Sequence, residues 1–182
     1  MILKELKQYT IPFVGLKLGI HQFDFNIDNQ FFEHFEYDEF NNVTIALKLA
    51  LEKQTTLLNL DFEFEGSVNV PCDVTNEPYD QPVAGSFSLV VKFGPEFNDE
   101  QEELLVLPHG SYEVSIQQCV YESIVLSLPA KRIHPGVLDG TLDSEVLERL
   151  EELSPKGEEV KQKDLQTDPR WDELKKLLTD KK

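Results

Sequence analysis

The sequence predicts an α+β domain: an antiparallel, strongly twisted β-sheet with two or three packed helices and a helical tail at the C-terminus. Apolar and polar residues alternate from Val43 to Glu52 and again from Leu58 to Cys72, as in strands with one buried and one wet face. The few polar residues between the two runs favour an antiparallel hairpin. Because the parity does not change across Gly66, we predict one long strand from Leu57 to Cys72 that bends at this glycine.

The residues before this hairpin predict edge strands and one short helix. Tyr9–Phe13 is a short extended segment. The apolar alternation over Leu16–Ile27 changes parity at His21, where a β-bulge would explain the slip. Asp28 is placed to cap a helix over residues 29–36, whose phenylalanines would lie over the sheet.

The residues after the hairpin predict further strands separated by loops. Cys72–Gly85 contains two prolines and many polar residues, which indicates a loop. Phe87–Phe93 alternates again and predicts a strand. Residues 98–103 form an acidic loop in this interpretation, and Leu104–Leu107 is long enough for a short strand.

One longer helix follows these strands. Ser115 and Gln118 have the spacing of a capping box, which places the start of the helix at Ser115. The helix would end before Pro129 and would pack an apolar stripe on the sheet, formed by Ile116, Val120 and Ile124.

The composition of the chain changes after residue 134, so we predict a sheet-centred domain over residues 1–134 and a charged linker with two short amphipathic helices over 135–182. The first of these helices begins at Ser144. Asp168 and the proline after it have the N-cap and first-turn positions of the second helix. A short isolated helix is only marginally stable in water, so this last helix must dock on another surface. We expect it to support partner binding more than folding, because the helix from Ile116 to Leu126 already covers the sheet.

The chain has 182 residues and a formal net charge of −17, carried unevenly. Residues 1–134 contain 8 basic and 21 acidic side chains. Such a surface repels phosphate backbones, so direct contact with nucleic acid is disfavoured, whereas a basic protein partner is compatible with it. Solubility is the simpler explanation of the charge, and both explanations stay open.

Several classes of protein are disfavoured by simple patterns. The longest apolar runs are only as long as a strand, and the first residues lack the apolar region of a signal peptide, so we expect a cytoplasmic protein without a membrane span. Two cysteines and four scattered histidines have no metal-ligand spacing. We therefore predict no metal, no cofactor and no catalytic residue.

Two groups of residues are candidates for binding. Lys131, Arg132 and His134 belong to the basic cluster of the acidic N-terminal part, where they form either a solvated loop or a contact with phosphate or an acidic groove. Asp168, Arg170 and Trp171 begin the last helix, and Trp171 is either a core residue or a docking residue on a tethered segment.

Two further residues have predicted structural roles in the long helix. Glu122 lies among apolar residues, so it is either an exposed glutamate of the helix or a hydrogen-bonded anchor that holds the helix to a neighbouring loop. Pro129 ends the helix.

The order of these motifs resembles the YceD family, the large ribosomal RNA subunit accumulation proteins of bacteria. The matching segments are Val68–Cys72, Tyr121-Glu122, Leu126–Pro129 and Asp168–Trp171. The resemblance implies a small cytoplasmic protein that is needed for normal accumulation of large-subunit ribosomal RNA and is not known as an enzyme.

This chain departs from the family pattern at its cysteines. Many members carry Cys-x-x-Cys at the strand end, where this chain has Cys72-Asp73-Val74-Thr75. Some members have further cysteines where this chain has Ile133–Pro135. Any zinc or thiol role in the family is therefore not carried over to this chain.

We interpret the chain as a non-catalytic ribosome-assembly factor that binds a large-subunit precursor or a basic ribosomal protein, as a monomer or a weak homodimer. Two alternatives remain. One is a hydrolase whose carboxylate and histidine site forms only in the fold, and the other is a general acidic adaptor for basic proteins.

Overall fold

A computed structural model of the protein describes residues 6–101 and 103–154. Within these residues a short 3₁₀-helix (Leu6–Tyr9) precedes eight strands and four α-helices. The strands are β1 (Thr10–Pro12), β2 (Gly19–Ile27), β3 (Asn42–Lys53), β4 (Leu57–Pro71), β5 (Pro78–Gly94), β6 (Asn98–Gln101), β7 (Leu104–Pro108) and β8 (Glu113–Ser115). The helices are α1 (Asn29–Glu33), α2 (Gln117–Leu126), α3 (Pro135–Leu138) and α4 (Glu145–Leu153). The predicted α+β class is confirmed.

Six strands form one sheet in the order β2-β3-β4-β5-β7-β6, and β1 pairs with β8 in a separate two-stranded sheet. All neighbours are antiparallel except β5 and β7, which are parallel. The predicted central hairpin is confirmed, since β3 and β4 pair from Asn42 opposite Asn69 to Lys53 opposite Leu58. β4 is continuous across Gly66, as predicted.

The hydrophobic core lies on one face of this sheet. Alternate residues of β3 and β4 are buried there, and the residues between them face solvent. α1 contacts β3 and α2 contacts β5, so two helices cover the buried face. The apolar stripe predicted for α2 is buried as expected, with Ile116, Val120 and Ile124 fully enclosed.

Asp28 caps α1 as predicted, because its side chain accepts a hydrogen bond from the Gln30 N–H. Aromatic rings join α1 to α2. Phe35, just beyond α1, stacks on Tyr121 of α2 with ring centroids 4.2 Å apart and planes 11° apart. α1 ends earlier than predicted, and Glu36 has a left-handed backbone conformation with φ of 54°.

The bulge predicted at His21 is wrong. β2 pairs with β3 in unbroken register from Gly19 opposite Lys53 to Ile27 opposite Ile45. The apparent change of parity arises because β2 begins at Gly19, so the apolar residues before it are not in the strand. Ile20 then falls on the wet face, where it is 70% exposed.

The loops predicted over 72–85 and 98–103 are also wrong in part. β5 begins at Pro78 and pairs with β4 from Pro78 to Lys92, so only the segment before Pro78 is a loop. Prolines fit here because β7 pairs only with Val90–Gly94, which leaves the first part of β5 at the edge of the sheet. Asn98–Gln101, predicted as loop, forms the outermost strand β6.

The predicted capping box is wrong as well. Ser115 belongs to β8 and pairs with Thr10, and the residue at the N-cap of α2 is Ile116, which has no side-chain capping bond. Ser115 pairs as part of a strand and therefore does not cap the helix.

The C-terminal part begins as predicted. Ser144 is the N-cap of α4, whose leucines Leu147, Leu150 and Leu153 have helical spacing. One compact unit ends at Asp143 and a second begins at Ser144, so α3 belongs to the first unit. The division into domains after residue 134 stays a prediction. The predicted linker and last helix, with Asp168, Arg170 and Trp171, lie outside the described residues.

Candidate functional site

The predicted basic cluster lies against the loop that connects β4 to β5. Asp73 and Arg132 form two hydrogen bonds of 2.7 Å, one between the Asp73 N–H and the Arg132 carbonyl and one between the Arg132 N–H and the Asp73 carboxylate. These residues are 59 positions apart in sequence. The segment after α2 is therefore fixed to the end of the central hairpin.

The charge of Arg132 is used inside the protein. Its Nη1 lies 2.9 Å from a carboxylate oxygen of Glu39, and its Nε lies 3.7 Å from Asp73. The Arg132 side chain is 25% exposed. Neighbouring Lys131 is exposed. A phosphate group would have to compete with two carboxylates for Arg132, so the cluster is a weak candidate for binding nucleic acid.

His134 has a structural position in the same segment. Its Nδ1 accepts a hydrogen bond of 2.9 Å from the Gly136 N–H, which caps the short helix α3. Its ring packs edge to face on Tyr79, with centroids 5.4 Å apart. Because Nδ1 is an acceptor, the neutral ring carries its proton on Nε2.

Cys72 lies between the loop and the His134 segment and is buried. Its sulfur accepts hydrogen bonds from the backbone N–H groups of Val74 at 3.4 Å and His134 at 3.3 Å. Burial acts to raise the pKa of the thiol. The hydrogen bonds from His134, Thr75 and Val74 outweigh burial and lower the pKa from 9.0 to about 7. Burial also shields the sulfur from reagents in solution.

Glu122 is exposed, and its carboxylate accepts a hydrogen bond of 2.5 Å from Gln118 one turn earlier in α2. Of the two roles predicted for Glu122, its position therefore matches an exposed glutamate of the helix rather than an anchor that holds the helix to a loop. Pro129 lies three residues after α2 and is exposed, so α2 ends before the proline.

A groove of about 610 Å³ opens beside Glu122, between α2, β8 and the β6–β7 pair. We call it the acidic groove. Its apolar lining consists of Leu89, Phe97, Leu104, Leu105, Leu107 and Cys119. Its carboxylates are Asp99, Glu100, Glu113 and Glu122, and no lysine, arginine or histidine lines it among the described residues.

The thiol in the wall of the acidic groove is uncharged. Burial raises the pKa of Cys119 from 9.0 to about 12, and the nearby carboxylate of Glu122 also raises it. The thiol donates a hydrogen bond of 3.1 Å to the Ile116 carbonyl. The apolar lining therefore stays neutral at every physiological pH, and the charges of the groove come from its carboxylates.

Residues 60–178 match the family model described as large ribosomal RNA subunit accumulation protein YceD. The chain belongs to the YceD family. The match covers about two thirds of the 182 residues and connects this YceD-family chain with ribosomal RNA accumulation and ribosome biogenesis. A search of curated proteins and a search of solved structures found no match. Among the described residues, no helix is long and apolar enough to cross a membrane.

The structure brings Thr75 and the His134 segment together around Cys72. Thr75 is buried and hydrogen-bonded to Cys72. His134 donates its backbone N–H to the same sulfur. The described residues contain no group of three or more His, Cys, Asp or Glu side chains that could hold a metal ion.

The acidic groove was not predicted from the sequence. Its lining comes from segments as far apart as Thr10 and Glu122, and pairing over such distances has no local signal. A signal did exist in Phe97 to Leu107, where one exposed aromatic residue, several carboxylates and a leucine-rich strand follow one another. The acidic part of this stretch, by itself, predicts only an acidic loop.

Proposed function

We propose that this protein is a non-catalytic ribosome-assembly factor that supports the accumulation of large-subunit ribosomal RNA by binding a basic ribosomal protein within the large-subunit precursor. The observation that carries this proposal is the internal use of basic side chains. Arg132 is paired with Glu39 and Asp73. The Nζ of Lys53 donates hydrogen bonds of 2.8 to 3.3 Å to three backbone carbonyls of the segment 13–16.

The remaining basic side chains in the described part of the first unit are not clustered along the sequence. They stand on separate elements, at Lys7, Lys17, Lys48, Lys92 and Lys131. A duplex or a folded RNA is held mainly by clustered lysine and arginine side chains at its phosphates. A chain with net charge −17 and dispersed lysines attracts a basic protein instead.

Under this proposal the protein acts in the cytoplasm, as a monomer or a weak homodimer. Ribosomal proteins must be delivered to nascent RNA, whose phosphates carry a high density of negative charge. An acidic factor that covers the basic surface of such a protein would keep it soluble and would release it to the higher charge density of RNA. The family description, large ribosomal RNA subunit accumulation protein, supports the role in large-subunit ribosome biogenesis on which this proposal builds.

Binding to RNA and binding to protein can be separated with purified components. The full-length chain, immobilised, is offered protein-free large-subunit RNA or the purified proteins of the large subunit at about 0.15 M salt. We expect capture of one or a few basic proteins, lost at about 1 M salt where screening is strong, and no retention of RNA. Lys131→Ala, which removes an exposed charge of the predicted basic cluster, serves as the control and should bind as the wild-type chain does. Retention of RNA that Lys131→Ala weakens would contradict the proposal.

A further inference from the structure

The acidic groove has an apolar floor and an exposed aromatic side chain beside it. Its floor contains the buried or half-buried leucines Leu89, Leu105 and Leu107. Phe97 at its side is 56% exposed. An aromatic side chain exposed beside an apolar cavity is typical of a surface that a partner covers.

The charge around this floor has one sign. Glu113 projects from β8, Glu122 from α2, and Asp99 and Glu100 from β6, so carboxylates approach the cavity from three elements. None of them forms an ion pair with a basic side chain among the described residues, where the ion pairs involve Arg132. The complementary occupant carries positive charge at its margins and apolar side chains at its centre.

The shape of the groove favours a peptide over a small molecule. Its volume of about 610 Å³ is within the range of ligand cavities, about 300–1,000 Å³. One wall, however, is β6, the outermost strand of the sheet, and all four of its residues are exposed. An occupant can therefore extend past the cavity along this edge, as an extended peptide segment does.

We propose that the acidic groove binds a segment of a basic protein in which lysine or arginine side chains alternate with large apolar side chains. The apolar side chains enter the cavity over the leucine floor, and the cations lie against Glu113, Glu122 and the β6 carboxylates. This assignment rests on the proposed function, because it names the surface through which the basic ribosomal protein is held.

A titration with a defined peptide tests the assignment. The probe is a short fluorescent peptide in which lysine alternates with leucine, and its binding to the full-length chain is followed by anisotropy. The groove variant combines Phe97→Ser with Glu122→Lys. The matched variant combines Ile20→Ser, on an exposed strand position, with Glu65→Lys on the wet face of β4, so that both variants lose one exposed apolar side chain and change net charge equally.

We expect the groove variant to weaken peptide binding by about tenfold or more, and the matched variant by less than about twofold. A peptide that alternates lysine with serine should bind much more weakly than the lysine–leucine peptide, because it cannot fill the cavity. Equal losses in both variants would show that net charge alone attracts the peptide and would overturn the assignment. Displacement of the probe by a peptide of residues 165–182 would overturn it too, in favour of this chain's own C-terminal segment.

Capture of large-subunit proteins by the same variants separates the two proposals. If the wild-type chain and both variants capture these proteins equally, the groove assignment is wrong and the proposed function stands. If the wild-type chain captures none, the proposed function itself fails. Thermal unfolding of both variants controls for folding, and their melting temperatures should match that of the wild-type chain because all four substituted side chains are exposed.

Discussion

Replacing Phe62 by alanine should lower the free energy of unfolding by about 3–5 kcal/mol, because the change removes a large side chain from the centre of the core and leaves a cavity. Phe62 is 1% exposed and pairs with Leu49 across the central hairpin. On its other side its ring stacks on Phe87 of β5, with centroids 4.3 Å apart and planes 7° apart. The substitution therefore removes contacts to both neighbouring strands.

Urea denaturation of the wild-type and variant chains measures this difference. Glu63→Ala is the matched control, since Glu63 is the next residue of the same strand and faces solvent. We expect the control to change the free energy of unfolding by less than about 0.5 kcal/mol. A loss below about 1 kcal/mol for Phe62→Ala would mean that the buried and wet faces of the sheet have been assigned wrongly.

Gly66→Ala should also destabilise the protein strongly, by about 3 kcal/mol, the upper end of the usual cost of overpacking. A Cβ atom at this position would lie 2.1 Å from the Thr44 carbonyl oxygen and 2.7 Å from the Ile45 Cα. Both atoms belong to the backbone of β3, so relief of the clash must displace the paired strand itself rather than rotate a side chain. This close approach explains the glycine in the middle of a strand that otherwise alternates regularly.

Two other glycines provide graded controls for this prediction, again by urea denaturation. Gly15→Ala meets no atom within 4 Å and should be nearly neutral. Gly85→Ala meets the ring of Phe64 at 2.6 Å, and a ring can move more easily than a backbone, so its cost should fall between the two. Equal stability of Gly66→Ala and Gly15→Ala would contradict the close packing of β3 on β4.

The strands with a regular alternation could be predicted from the sequence, and those in which other residues interrupt it could not. The hairpin of β3 and β4 was predicted nearly to the residue because half of each strand is buried and half is wet. The first part of β5 was missed because Pro78 and Pro82 are usual in loops. They are tolerated here since no strand pairs with the outer side of β5 at these positions.

The start of α2 shows how tertiary contacts override local signals. Ser115 and Gln118 have the spacing of a capping box, yet Ser115 pairs with Thr10 in the two-stranded sheet. The Ile116 N–H donates instead to the Tyr9 carbonyl at 3.0 Å. The partner of this N–H is more than a hundred residues away, so no pattern near the helix could predict it.

The candidate site depends on the same kind of long-range contact. Arg132 was predicted to bind as part of a basic cluster, but its ion pair with Glu39 spans 93 positions. Local sequence therefore could not reveal that its charge is neutralised. The acidic groove is likewise assembled from β1, β5, β6, β7, β8 and α2, and its apolar floor becomes visible only when these elements are placed together.

Sedimentation of ribosomal particles from cells with and without the gene tests the assembly role most directly. Without the gene, we expect large subunits and large-subunit RNA to fall relative to small subunits, and incomplete large-subunit particles to accumulate. A plasmid copy of the wild-type gene should restore the profile. In the wild-type cells the protein itself should be found in fractions that contain large-subunit precursors. An unchanged ratio of large-subunit to small-subunit RNA, with the protein absent from every ribosomal fraction, would contradict a role in large-subunit assembly.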